Sequence, residues 1–536
     1  MAVFHRGLVD HIGGVIRRVV DAGVWRTFAR VCGLAVDSMI AALLAMVLSA
    51  DPPSRQPIPP DWVGWALTDL VQQPEADRPF IRYLAIPPWG DERWVPLLNF
   101  ALNSSVSQAS TIQRADVIAN GWMLRVDLRR FSPRKNTIAK TLATWDSLAK
   151  IDPYLHVPKD NSRVDIAVIA PTVPQDQALL LAQLTLSAGA VYRADWWLVK
   201  ALDTLEGGVY YDFRQLPTDT DKDAGGLTEF DRYLRGRGVF LKATQEAGGE
   251  RRAALTASDV TAKPRRADFG VGLTGGLWSV TRDIADGGQQ AERHPLRNLL
   301  DFRDQGREVF VTLPSGMIEY TLFDGNGKLV KEAPPELVRD HNIPPPNTAR
   351  LRPGRSCIIC HNIPSADGWR EFPNDVQTVL KSGRFDVVSD LANLGISREE
   401  AIDKLAELYA LDVDSADGLL GRARRDYSAA IARCVPTGIN FEPDKSLVAQ
   451  IGQLTRDVIY RYDYERIDAK QAALELGYVV PPDFKGNPLD FVLKPDNPIR
   501  EIDGVAAYLR AGLKINRADF EVIYQDLLQQ SLEVTK

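Results

Sequence analysis

Apolar residues recur at helical spacing from Trp62 to Val71, and again from about Asp91 to Ser105, where Trp94, Leu97, Leu98, Ala101 and Leu102 share one face. The same period predicts helices over 137–149, with Trp145 and Leu148 on the apolar side, over 176–188, and from Arg193 onward. Met123–Leu128 alternates and predicts a strand. From Thr218 to Gly270 the pattern loosens: Asp, Gly, Lys and Arg dominate, and the pairs Arg251-Arg252 and Arg265-Arg266 are expected on a solvated face. Alternation then returns. Glu308–Leu313 reads as a strand, Pro314-Ser-Gly316 as a turn, Met317–Phe323 as a second strand, and Asp324-Gly-Asn-Gly327 as a turn into Lys328–Lys331. Asp324 and Asn326 hint at calcium, but the later carboxylates of a calcium loop are missing. A Pro-rich stretch over 335–373 reads as loop. Beyond it, amphipathic helices are expected over 374–381, 398–409, 415–433, 445–460, 468–476, 500–512 and 516–530. Ser397-Arg-Glu-Glu400 resembles a capping box at the start of one of them.

These elements predict an α+β fold: a mixed region over 51–334 ending in a small antiparallel β meander, then a mainly helical region over 335–536 around an extended loop. With 536 residues, 45% hydrophobic and 25% charged, the chain can bury a large core. A net charge of −6 gives no basic surface bias, so nucleic acid is not an expected partner. No G-x-S-x-G, H-E-x-x-H or phosphate loop is present, which leaves a general hydrolase without support. The Trp residues are spread along the chain and read as core.

Residues 1–50 change the picture of location. Arg17, Arg18, Arg26 and Arg30 precede an apolar run from Met39 to Leu48, small residues follow at Ser49 and Ala50, and Asp51-Pro52-Pro53 ends any helix. The pattern is that of a signal peptide with a long charged region. The run is too short for a membrane-spanning helix, which needs roughly 20 residues. The mature chain is therefore expected in the periplasm or otherwise exported, touching a membrane only through this segment.

The candidate chemistry is concentrated in Arg355-Ser-Cys-Ile-Ile-Cys-His361. Cys357, Cys360 and His361 form C-x-x-C-H, the pattern of covalent haem attachment. Two thiols at this spacing add to the two vinyl groups of one haem, and the adjacent imidazole reaches the iron as proximal ligand. A zinc site would need two more ligands, and neither a second C-x-x-C nor a nearby His pair exists. A thioredoxin-like pair would open a helix after a strand, whereas Pro344-Pro345-Pro346 and Arg352-Pro-Gly-Arg355 read as loop. Of the other cysteines, Cys32 leaves with the signal, and Cys434 is expected as a buried thiol at a helix end.

With these residues in view, the chain resembles the c-type cytochromes, and within them a family of large exported bacterial proteins with one haem motif. The resemblance is carried by Leu102-Asn-Ser-Ser-Val-Ser107, Arg125-Val-Asp-Leu128, Trp145 with Pro153-Tyr154, Ala194-Asp-Trp196, Gly306-Arg-Glu-Val-Phe310, Leu313-Pro-Ser-Gly316 with Tyr320, Asp324-Gly-Asn-Gly327 and Ser356–His361. Only the last is specific for chemistry. The resemblance implies one covalent haem c with its iron on His361. It also implies that a Pro carbonyl, here that of Pro373, orients the imidazole. The chain departs from small electron carriers in having no Met after Met317. Sixth-ligand candidates are Met317, His294 and His341, with Met123 and His156 behind them. Met317 reads equally as a strand residue packed in the core.

Three functions stay open on the sequence: an electron-transfer cytochrome with an unidentified redox partner protein, a haem enzyme or gas or redox sensor with an open sixth position, and a scaffold stapled by haem.

Overall fold

The computed structural model describes residues 62–154, 175–216, 226–255, 261, 265–283, 304–334, 350–364, 366–370, 397–409, 418–478, 480–492 and 505–533. The signal-like segment, His156, His294, His341, Pro373 and the expected helix over 374–381 lie outside them. Residues Pro59–Lys536 form one compact unit. Its architecture is α+β, as the periodicity implies, with two sheets among many helices. No described helix is long and apolar enough to cross a membrane.

The first sheet runs β2-β3-β1-β4, with β1 Ile81–Ala85, β2 Asp116–Ile118, β3 Met123–Asp127 and β4 Val191–Arg193. β1 pairs antiparallel with β3 and parallel with β4. Helix Ala194–Leu202 leaves β4 directly and is buried over nearly its whole surface. The expected helix over 91–105 is α-helical only over Trp94–Ala101 and widens into a π-helix over Leu102–Val106. Asn103 and Ser105 donate to the Asn99 and Ala101 carbonyls at the junction, which the wider turn leaves open to side chains, and Asn99 donates to the distant Cys434 carbonyl.

The second sheet is a six-stranded antiparallel meander: β5 Arg251–Leu255, β6 Arg265–Val271, β7 Leu277–Asp283, β8 Gly306–Thr312, β9 Ile318–Asp324 and β10 Leu329–Val330. Its last three strands follow the expected alternation; its first three do not. The reason is charge. Arg252, Arg265 and Arg266 are buried, so the solvated face expected for this stretch is wrong for them. Asp268 takes ion pairs from Arg266, Arg282 and Arg252 at 2.8, 2.6 and 3.6 Å. Arg265 pairs with both Asp283 and Glu308 at 2.8 Å. Buried ion pairs occupy positions where a strand pattern would show apolar residues, so the period disappears from the sequence.

Strand alternation gives the meander two faces. Trp278, Val280, Val309, Val311 and Phe323 pack under Phe230, Tyr233 and Tyr211. The opposite face carries Phe269, Phe310, Ile318 and Tyr320, which join one core with Cys357, Ile358, Trp369 and Tyr427. The C-terminal helices follow their expected positions, at Arg398–Tyr409, Leu419–Cys434, Leu447–Tyr464, Ala469–Glu475, Val505–Arg510 and Arg517–Glu533. The Ser397 hydroxyl accepts from the Glu400 N–H, as a cap should. Cys434 is buried at its helix end, and burial raises its thiol pKa.

Glu319 on β9 is fully buried between Arg214 at 2.5 Å and Arg237 at 2.6 Å. Burial pushes its carboxyl up, but the two guanidinium groups outweigh it and lower the pKa to about 2. A folded value below the unfolded one stabilises the fold above the ordinary carboxylate range, and that contribution is lost as pH falls toward 2. Glu319→Gln is expected to lower the unfolding free energy by about 3 kcal/mol at pH 7. In urea titrations its difference from wild type should shrink as pH falls from 4.5 toward 2. A difference constant over that range contradicts the assignment.

Candidate functional site

Cys357, Cys360 and His361 lie on a short helix, Arg355–His361, and not in a loop. The loop reading followed the prolines, but Pro353 ends one residue before the cap. Gly354 caps the helix at φ 80°, a left-handed setting open to glycine, and a Cβ there would overlap the Leu202 carbonyl. The helix then starts with the Ile358 N–H donating to the Gly354 carbonyl at 2.8 Å. Residues 357 and 361 are one turn apart and share a helix face. That face meets the meander: the His361 ring stands edge-on to Phe310 at 4.7 Å and tilted to Tyr320 at 6.0 Å.

The far end of the helix is closed by a reciprocal pair. The Gly368 N–H donates to the His361 carbonyl at 3.0 Å, and His361 Nδ1 lies 3.1 Å from the Gly368 carbonyl. A carbonyl only accepts, so Nδ1 carries the proton and Nε2 keeps its lone pair. Gly368, which the sequence reading passed over, thus serves the imidazole in the way expected of Pro373. Burial lowers the His361 pKa to about 3, the charges of Arg370 and Arg265 assist, and the Gly368 bond opposes them. The ring is therefore a neutral imidazole, the form in which histidine ligates.

Four further contacts hold the helix in place. Helix Leu447–Tyr464 approaches so closely that a Cβ on Gly452 would overlap the Asn362 backbone. Arg456 reaches the Ile359 carbonyl at 3.3 Å, and Arg370 reaches the Cys360 carbonyl at 3.2 Å. Tyr427 donates to Asn362 Oδ1 at 2.9 Å. Cys357 is buried and Cys360 half-buried, and neither forms a disulfide.

Of the sixth-ligand candidates, Met317 is fully buried, with its sulfur 3.8 Å from the Ser104 hydroxyl of the π-helix. It stands just before β9 and belongs to the same core cluster as Tyr320 and Cys357. Met123 is buried in the separate core cluster of the first sheet.

The donor set suits a covalently attached haem: two thiols at the spacing of the vinyl groups, neither in a disulfide, and a neutral imidazole whose Nε2 makes no hydrogen bond among the described residues. Two orphaned donors add to the fit. Trp369 Nε1 and Asn362 Nδ2 are buried without an acceptor among the described residues, and haem carries two carboxylates that accept. No cluster of His, Cys, Asp and Glu suited to a free metal ion occurs among the described residues.

Compared with protein-family models, curated proteins and solved structures, the chain has no significant match.

Gly452→Ala is expected to destabilise the protein by about 3 kcal/mol through overpacking against Asn362. Gly236→Ala, where a Cβ meets open space, should change stability by less than about 1 kcal/mol. Thermal denaturation of the two variants separates them; equal effects would contradict the close approach at Gly452.

Proposed function

We propose that this chain is an exported, single-haem c-type cytochrome whose role is electron transfer. The observation that carries the reading is the His361 imidazole: its Nδ1 proton is held by Gly368, its Nε2 makes no hydrogen bond among the described residues, and two thiols stand on the same short helix. Bound haem supplies an iron that takes up and releases one electron. Cys357 and Cys360 anchor it as thioethers, and His361 binds the iron from one side. The Gly368 carbonyl fixes the ring plane and raises the basicity of Nε2. Phe310 and Tyr320 exclude water from the flank of the ring, which lowers the local dielectric and with it the stability of the more charged oxidation state. Export to the periplasm rests on the pattern of residues 1–50, and the electron donor and acceptor are a partner protein of unassigned identity.

A second reading, a haem enzyme or gas or redox sensor, is favoured by one observation. The Met317 sulfur is fully buried and lies 3.8 Å from the Ser104 hydroxyl. The sixth position then falls to His294 or His341, or stays open. A reduced absorption spectrum with and without carbon monoxide decides between them. Electron transfer predicts a low-spin spectrum indifferent to carbon monoxide; a high-spin spectrum that shifts with it replaces that reading with the enzyme or sensor.

Haem staining after denaturing electrophoresis is expected to be positive for the exported wild type and negative for Cys357→Ala/Cys360→Ala. His361→Ala should keep the stain and lose the proximal-ligand spectrum. An unstained wild type, or a stained double variant, ends the proposal.

A further inference from the structure

We infer that Asp203 is the positioning residue of the Cys-x-x-Cys-His helix, setting the rotation that turns Cys357 and His361 toward Phe310 and Tyr320. The functional meaning of this assignment rests on the haem reading above; the geometry does not.

Asp203 follows helix Ala194–Leu202 and is 2% exposed. Its two carboxylate oxygens have separate tasks. Oδ1 accepts from the backbone N–H groups of Thr204 and Leu205 at 2.7 and 2.9 Å, which locks the side chain to its own turn. Oδ2 accepts from Arg352 Nη1 at 2.7 Å and from Arg355 Nη1 at 2.8 Å. These two arginines bracket Pro353-Gly354 and open the motif helix. The neighbouring Leu202 carbonyl is the group that a Cβ on Gly354 would overlap. Residues 202 and 203 therefore grip the helix start twice, once by shape and once by charge.

The other partners of the arginines pull elsewhere. Arg352 also meets Glu206 at 3.1 Å, whose side chain is 65% exposed, and Arg355 also meets Asp463 of helix Leu447–Tyr464. Burial pushes the Asp203 carboxyl up, and Arg355 and Arg352 more than reverse this, so it is charged and central to the cluster. Without it, each arginine follows its remaining acid in a different direction. A helix side chain reaches roughly 5–6 Å from the axis, so a rotation of about 30° moves a thiol or imidazole by about 3 Å. That displacement exceeds the tolerance of a ligand bond.

The test compares Asp203→Ala and the milder Asp203→Asn with wild type and with Glu475→Ala. Glu475 sits buried between Arg193 at 2.9 Å and Arg517 at 2.5 Å, so its loss also breaks a buried arginine pair, outside this cluster. Alkylation of the haem-free full-length chain is followed residue by residue by mass spectrometry, with buried Cys434 as the internal reference for global opening. Asp203→Ala and Asp203→Asn are expected to raise the Cys357-to-Cys434 alkylation ratio by about tenfold or more, and Glu475→Ala to leave the ratio unchanged. In exported protein, haem per chain should fall several-fold for the Asp203 variants and stay near wild type for Glu475→Ala at comparable melting temperature. Asp203 variants whose ratio and haem content track Glu475→Ala overturn the assignment. A wild type without covalent haem ends the electron-transfer reading, while the alkylation ratio still decides the role of Asp203.

Discussion

The two hydrogen bonds between His361 and Gly368 make a closed loop of the residues that follow the haem motif, and much else is arranged to keep that loop shut. Gly368 sits at φ 87°, and a Cβ there would overlap the Tyr427 ring. Tyr427 belongs to helix Leu419–Cys434 and reaches back to Asn362, the residue after His361. The same helix presents Ala430 to Gly316 in the turn before β9. From the imidazole to the meander, then, each element is placed by a contact that tolerates no added atom. Such rigidity suits the proposed redox role, since reorganisation on electron transfer slows the reaction.

Around this core the charges are buried and paired, and the pattern of pairing differs from place to place. Glu319 and Asp203 each meet two arginines, and Asp268 meets three, so all three are held below the ordinary carboxylate range despite burial. Asp283 is the reverse. It shares Arg265 with Glu308, and burial together with the second carboxylate pushes it up to about 7. Arg265 is also felt by the His361 ring. The meander is thus both a wall for the imidazole and a source of fixed charge near it.

The parts of the fold that the sequence revealed are those where one physical rule acts alone. β8, β9 and the C-terminal helices follow hydrophobic period. What stayed hidden depends on partners far along the chain. β5 to β7 were disguised because arginine and aspartate sit where valine would be expected. The motif helix was taken for loop because Pro353 is next to Gly354, and only the Leu202 carbonyl explains that glycine. Gly368 has no side chain to advertise its role, and nothing near Arg352 or Arg355 points to Asp203. The π-helix at Leu102–Val106 was likewise invisible, since its widening answers to local hydrogen bonds and not to period.

The separations in this cluster have a consequence in time. Arg355 meets Asp463 across 108 residues of sequence. A chain emerging at roughly 5–20 residues per second leaves an interval of about 5–20 s between the appearance of the motif and that of its last anchor. Throughout it the start of the motif helix lacks one of the two acids that meet Arg355. The distance between motif and anchor therefore acts as a delay between the appearance of the helix start and the completion of its ion-pair cluster.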